Sequence, residues 1–380
     1  MTRVSIFMSS FNHAPFLRGA IRSVLDQTYS DFELFILDDA SSDESWNIIE
    51  SFDDQRIHAL RNPVNRNDKQ DMKRIVQQLT TGEFIAVHHS DNLWEPDKLQ
   101  RQVDLLDAQP RIGAVFTHAM IIDERGQPLT DHAHFYYRIF EQPNRSRHAW
   151  LNHFFYQGNA LCHPSVLIRR ECYDQCGYYR NGFGQIPDLD LWVRLCLKYE
   201  IHVLPQKLVG FRVPSDQSNI SGNRPATRVR HNFEFLQVLE HYRSLSTFED
   251  LLQVFPDAEA YRRPAGSDPG YVLGRLALDA RVTSPAMQLF GLNLLFEALG
   301  DPPRAVRIAE LYGFTHKDFL ALTGQRAAFA VEGVRGDIGE IWRIAGFLTR
   351  LREALFPAGS IQYRLLQAAY RRWMLNRRSL

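Results

Sequence analysis

The first 115 residues alternate short apolar runs with stretches whose apolar residues recur at helical spacing. Residues 4–8 (Val-Ser-Ile-Phe-Met) read as a buried strand. Asn12 then serves as a cap and Pro15 as an early residue of a helix carrying Phe16, Ala20, Ile21, Val24 and Leu25 on one side. A second strand is predicted over 32–37, and Asp38, Asp39 and Asp43 come after it in a loop that opens the next helix. Further strands are predicted at 56–60 and 84–88. Between them Met72, Ile75, Val76 and Leu79 mark a helix that ends at Gly82. Strands separated by helices predict a parallel sheet covered on both faces. Ligands on such sheets bind beyond the carboxyl ends of the strands, so the loops after Met8, Leu37 and Val87 form the expected ligand edge.

From 111 to 222 the pattern continues with strands at 114–117, 165–168, 202–204 and 208–212 and a helix over 188–199. Strand signals stop after Arg224 and Pro225. Residues 226–380 read as successive helices, marked by Phe233, Leu236 and Leu239, by Leu289, Leu292, Leu295 and Leu299, and by Ile341, Ile344, Leu348 and Leu351. Their spacings share no fixed period, which argues against a solenoid. The expected organisation is an α/β domain over 1–224 followed by an all-helical domain over 225–380.

Composition narrows the function. The chain has 380 residues with 44 Lys+Arg against 44 Asp+Glu, so it lacks the basic footprint of a nucleic-acid binder. Its length accommodates two domains with cores of their own. Four cysteines, at 162, 172, 176 and 196, include no CxxC pair; Cys172 and Cys176, four apart on a predicted helix, read as small buried hydrophobes rather than metal ligands or a disulfide, and so few cysteines suit a reducing compartment. The amino-terminal apolar stretch is too short for a signal peptide, and no window has about 18 uninterrupted apolar residues. A cytoplasmic protein is expected, with one basic segment that could reach the inner face of a membrane. Residues 360–380 hold five arginines and no acid. Arg364, Arg371 and Arg378 recur every seven residues, roughly opposite Leu366, Ala369 and Trp373. Such a helix suits an anionic lipid surface, or a docking face on the domain or on a second subunit of a homo-oligomer.

The chain has no GxGxxG after a strand, no GxxxxGK[ST], no HExxH and no GxSxG. Gly182 and Gly184 mark only a turn. What stands at the strand ends is a set of carboxylates. Ionised Asp38 and Asp39 are pure acceptors, suited to a uracil N3–H or a ribose hydroxyl, or equally to capping the turn with Asp43. His88, His89, Ser90 and Asp91 close the fourth strand. An imidazole with a carboxylate there can hold Mn²⁺ or a similar ion, which neutralises a diphosphate leaving group, or can be structural.

On these residues the amino-terminal part resembles family 2 glycosyltransferases, inverting enzymes of the GT-A fold with a Rossmann-like, mostly parallel sheet. The matching stretches are VSIFMSSFNHAPFLRGAIRSVLDQTYSDFELFILDDASSD, TGEFIAVHHSDNLWEPDKL, HPSVLIRREC and PDLDLWVRL, four segments in the family's order over about 1–220. The resemblance implies that Ser9 contacts the nucleotide, that Asp39 reads the uracil with Asp38 beside it, and that Asp91 is the last aspartate of a metal-binding DxD. It also makes Asp188 the general base. Three departures accompany it. His89 replaces the first aspartate of DxD, Pro187 replaces the glutamate before Asp188, and Lys73-Arg74 stands where the family often has Arg-Asn. Lys73 and Arg74 are read as diphosphate contacts or as solvated helix charges. Asp190 is a rival base on another helix face, and His163 and Trp192 either line the acceptor side or pack in the core.

The implied reaction has a base deprotonating an acceptor hydroxyl as it attacks the anomeric carbon opposite the leaving nucleoside diphosphate. A cation, Mn²⁺ or Mg²⁺ or Lys/Arg, meets the charge growing on that group. A UDP-sugar donor, a hydroxyl of a glycan or lipid-linked glycan as acceptor, and a place in bacterial surface polysaccharide synthesis are expected. Loops at 125–160 and 177–187 would shape the acceptor pocket. Gln367 to Trp373 only approximates the QxxRW of processive synthases, so single-sugar, non-processive transfer is expected. Two other classes stand beside this reading. A non-catalytic nucleotide-binding or assembly module would suit the changes at 89 and 187. A nucleotidyltransferase would need a Gly-rich basic loop after the first strand, where this chain has Ser9-Ser10-Phe11-Asn12-His13.

Overall fold

Eight strands form one mixed sheet in the computed structural model, which describes residues 2–68, 70–131, 134–214, 224–280 and 284–326. In chain order they are β1 (Val4–Ser10), β2 (Phe32–Asp38), β3 (Ile57–Arg61), β4 (Phe84–His89), β5 (Leu93–Trp94), β6 (Ile112–Ile122), β7 (Leu167–Arg169) and β8 (Glu200–Arg212). Their spatial order is β3-β2-β1-β4-β7-β6-β8-β5. The first four are mutually parallel, β7 runs antiparallel between β4 and β6, β6 and β8 are parallel, and β5 closes the edge antiparallel to β8. This is the GT-A arrangement that the sequence predicts.

Among the described residues eight helices surround the sheet: α1 (Ala14–Leu25), α2 (Ser45–Glu50), α3 (Gln70–Gln78), α4 (Lys98–Ala108), α5 (Phe135–Phe140), α6 (Arg147–Gln157), α7 (Arg170–Cys176) and α8 (Pro187–Cys196). The apolar strands bury both faces, with neighbours along the chain pointing to opposite sides. Val4, Ile6 and Met8 pack with Leu17, Ala20, Ile21 and Val24 of α1 and with Leu99, Val103 and Leu106 of α4. Phe7, between them, packs on the other side with Met72, Ile75 and Val76 of α3.

Two local expectations need correction. Asn12 is not the cap of α1. That position is held by His13, while Asn12 takes a left-handed conformation (φ 53°) and accepts from the Ser42 N–H at 2.9 Å. Such a backbone suits Asn, whose short polar side chain can bond locally. The two strands expected at 202–204 and 208–212 are one, because β8 runs through Pro205. Thr117 pairs with Leu204 and His118 with Lys207, so Pro205 and Gln206 bulge out of the ladder, where a missing N–H costs nothing. The two-residue β5 falls below what periodicity can detect.

Helices take over at Arg224, the residue capping α9 (Pro225–Leu239). They continue as α10 (Phe248–Val254), α11 (Pro269–Leu278), α12 (Pro285–Gly300), α13 (Pro302–Tyr312) and α14 (His316–Gln325). Met1–Ala328 forms one compact unit, and α9 to α12 share the apolar core of the α3 side of the sheet. The Phe155 ring of α6 meets Tyr242 and Phe255 edge-on at 5.0 and 4.8 Å, and the Tyr242 hydroxyl donates to the Leu151 carbonyl at 2.7 Å. On α9 the expected apolar residue Phe233 is 62% exposed, whereas Glu234 is 1% exposed. The physical reason lies in the loop before α8, which Glu234 holds.

Among the described residues no helix is long and apolar enough to cross a membrane. The arginine stripe at Arg364, Arg371 and Arg378, the Gln367–Trp373 segment and the helix marked by Ile341 to Leu351 lie outside the described residues.

Candidate active site

The parallel register brings the expected ligand edge together. Ser9 lies opposite His89 on β4, and Ser10 lies opposite Asp38 on β2, so the ends of β2, β1 and β4 stand side by side. Ser9 is the exposed residue of an otherwise buried β1. Of the two histidines ending β4, His88 is wholly buried against Trp94, with ring centroids 4.5 Å apart, and only His89 reaches the rim.

The two aspartates after β2 have different surroundings. Asp38 is fully buried; its carboxylate accepts from the Ser41 N–H at 3.1 Å and pairs with Arg61 at 3.3 Å. It therefore shapes the turn from inside and does not reach the exposed rim. Asp39 is half-buried and accepts from the Asn62 side-chain amide at 2.8 Å and from the backbone N–H groups of Arg66 and Asn67 at 3.0 and 2.8 Å. Burial pushes its carboxyl up, but those hydrogen bonds together outweigh burial and hold it below its ordinary value.

The His89-Ser90-Asp91 turn is fastened from two sides. The Ser90 hydroxyl is 2.8 Å from Nδ1 of His13 on the loop after β1. Arg212, at the end of β8 and 5% exposed, donates to the Asp91 and Asp123 carbonyls at 2.7 and 2.6 Å, and its N–H meets Oδ1 of Asn92 at 2.7 Å. Its guanidinium rests over the Phe16 ring at 4.6 Å. Among the described residues no three His, Cys, Asp or Glu side chains converge as a metal cage. One imidazole (His89) and one carboxylate (Asp91) nevertheless suit a divalent ion whose remaining ligands come from substrate phosphates, the usual way hard ions are held in phosphate chemistry.

Asp188 opens α8 as its second residue. Its Oδ2 accepts from the Asn159 amide at 2.6 Å and its Oδ1 from the Leu189 N–H at 2.9 Å. Burial pushes its carboxyl up to about 6 against those two hydrogen bonds, and the nearby Glu234 carboxylate adds to the rise. A carboxylate with that proton affinity can take a proton near neutral pH. The rival Asp190 is excluded by its partners. It is buried in a cage of Arg180, Arg194 (2.8 Å) and His241 (2.8 Å), which together hold its carboxyl at about 2 against burial.

The remaining sequence candidates divide. Nε2 of His163 is 2.7 Å from the Tyr179 hydroxyl, and its ring meets His89 edge-on at 5.0 Å, so it joins the rim. Trp192 does not. It is fully buried, edge-on to Phe116 at 4.8 Å and to His163 at 5.8 Å, so it supports His163 from behind and cannot touch an acceptor. Lys73 lines a cavity of about 280 Å³ with Gln70, Tyr178, Tyr179 and Arg180. Arg74 is exposed and pairs with Asp71 at 3.1 Å. Sequence reasoning missed Asn159, Arg212 and Glu234. Only Glu234 left a trace, an acid between two phenylalanines at the centre of α9.

Comparison with known proteins bears on the family and the fold. Residues 5–170 match the family model described as Glycosyl transferase family 2. WfaP from Escherichia coli, a UDP-Glc:alpha-D-GlcNAc-diphosphoundecaprenol beta-1,3-glucosyltransferase, is 28% identical over 252 residues, covering 65% of this chain and 92% of that protein. Two solved structures share the fold. The mannosyltransferase PcManGT from Pyrobaculum calidifontis, in complex with GDP-Man and Mn²⁺, has a TM-score of 0.50 and 18% identity over 88% of this chain and 86% of its own. TarS of S. aureus with UDP-GlcNAc has a TM-score of 0.50 and 14% identity over 84% and 89%.

Proposed function

Taking as premise that residues 5–170 place this chain among the family 2 glycosyltransferases, we propose an inverting, non-processive transfer from a UDP-sugar to a hydroxyl of a glycan or lipid-linked glycan. A role in bacterial surface polysaccharide synthesis follows the acceptor of the WfaP relative, a sugar on diphosphoundecaprenol. The observation that carries the reading is Asp188, a half-buried carboxylate at the start of α8 whose proton affinity lies close to neutral pH. It accepts the acceptor's hydroxyl proton as the oxygen attacks the anomeric carbon, and Asn159 holds it at the angle of approach. In this proposal 1–224 carries the catalysis and 225–380 the acceptor, membrane or subunit contacts.

Ser9 and Asp39 serve the nucleotide, and Lys73 and Arg74 stand as cations on its flank. Three donors, from Asn62, Arg66 and Asn67, already reach the Asp39 oxygens, so a uracil N3–H would have to share a carboxylate with one acceptor position left over. His89 and Asp91 would hold a divalent ion, which when bound supplies positive charge to the departing diphosphate. His163 stands behind His89 on the acceptor side.

A thermal shift with UDP, GDP, dTDP and CDP, each with and without Mn²⁺, tests the donor class, because a nucleotide that binds only the folded state raises the melting temperature. UDP is expected to stabilise, more so with Mn²⁺. Asp39→Ala is expected to weaken UDP roughly 10- to 100-fold, the usual cost of removing a charged hydrogen-bond acceptor. A transition moved by GDP alone would reject the uridine assignment, and one moved by no nucleotide would favour the non-catalytic module.

A further inference from the structure

Glu234 belongs to α9, in the helical part of the chain, yet its carboxylate lies against the loop leading into α8. Oε1 accepts from the Gly184 N–H at 2.6 Å, and Oε2 accepts from Gln185 and Ile186 at 2.8 and 2.9 Å. A carboxylate as buried as this is tolerated only when fully hydrogen-bonded, and bonds from N–H groups to an ionised acceptor are of the strong class. The donors are three consecutive residues, and the last of them, Ile186, caps α8 two residues before Asp188. Gly184 has a matching feature. A Cβ there would come within 3.2 Å of Cδ of Arg230, so the loop lies close against α9 and a larger residue at 184 would have to displace the exposed Arg230 side chain.

We propose that Glu234 is a positioning residue for the transfer reaction, its carboxylate clamping the backbone of 184–186 and thereby aiming Asp188 from the helical part of the chain. The inference rests on Asp188 acting as the base. It explains why α9 buries an acid and exposes Phe233, because the acid is the one side chain able to accept three converging N–H groups. Glutamine could not replace it. Its single carbonyl oxygen serves one side of the clamp, and its amide would turn a donor toward the other donors.

The clamp also has an electrical consequence. The groups facing Asp188 are the Asn159 amide, the Tyr179 hydroxyl, the Cys162 thiol and Glu234. Those facing Glu234 are His231 on its own helix, Arg230 beside Gly184, and Asp188. Glu234 is the charged member of the Asp188 set, and its negative charge favours the protonated base.

The test is Glu234→Gln in the full chain, with turnover followed as UDP release and the UDP thermal shift as the control for folding and donor binding. The expected result is a fall in kcat of tenfold or more, a donor KM within twofold, and an acid limb of the kcat–pH profile moved to lower pH. Loss of kcat and UDP binding in parallel with an unmoved pH profile would mean a merely structural role and would overturn the proposal. Amide exchange at 184–186 reads the clamp independently of turnover. It is expected to be slow in the wild type and at least tenfold faster in Glu234→Gln, and equal rates would also overturn it. Slow wild-type exchange with no sugar transfer from any donor would instead count against the catalytic reading.

Discussion

Asp188→Asn is expected to lower the transfer rate by about 100- to 10,000-fold, the usual contribution of a positioned base. UDP affinity should stay within twofold, because the residues proposed to serve the nucleotide, Ser9 and Asp39, sit at the ends of β1 and β2. The same substitution is expected to stabilise the protein. The Asp188 carboxyl is raised from an ordinary 3.8 to about 6 in the folded chain. The folded state therefore holds a proton that the unfolded state has released, and the associated stability is complete below about pH 4 and lost as pH rises through 6. At neutral pH the ionised group is a burden. Because Asp188 is partly exposed, solvent discounts that burden to on the order of 1 kcal/mol, about 2 °C in melting temperature. Wild-type turnover should rise with pH around a midpoint near 6, and the residual activity of the variant should be flat there. Normal turnover in Asp188→Asn would remove the residue as base.

Two residues along the same helix the sign reverses. Asp190→Ala is expected to destabilise the fold by about 3–5 kcal/mol, the cost of breaking a buried ion pair and leaving its partners uncompensated. The partners are Arg180, Arg194 and His241, and Arg194 also holds the carbonyls of Gly177 (3.1 Å) and Tyr178 (2.9 Å) ahead of the loop to α8. Because the Asp190 carboxyl is depressed to about 2, its stabilisation is present above pH 4 and disappears as pH falls toward 2. Urea unfolding at pH 7 checks the magnitude. Adding Arg194→Leu should recover part of the loss, since it removes one stranded charge. A single variant within 1 kcal/mol of the wild type would show that the cage contributes little.

The parts of this protein set by neighbours in the chain are legible from local pattern. β1, β2 and β4 are apolar runs of six or seven residues that stay buried in any sheet covered on both faces, so their ends, and the carboxylates after them, could be located. β8 shows the limit. Pro205 looks like a strand break when only local rules apply, and it became a bulge because β6 offered a long parallel partner.

By itself the sequence determined the order of strands and helices, the ligand edge of the sheet and the short set of aspartates able to serve it. These follow from apolar periodicity and from a few residue types at strand ends, signals contained within ten to twenty residues. Tertiary structure alone decided what each carboxylate does. Asp38 and Asp190 went inside with cations, Asp39 and Asp188 stayed at the rim, and Glu234 was drawn from a distant helix onto the loop before the base. The proton affinity and reach of a carboxylate depend on burial and on hydrogen-bond donors, and here those donors come from segments 20 to 50 residues away or more.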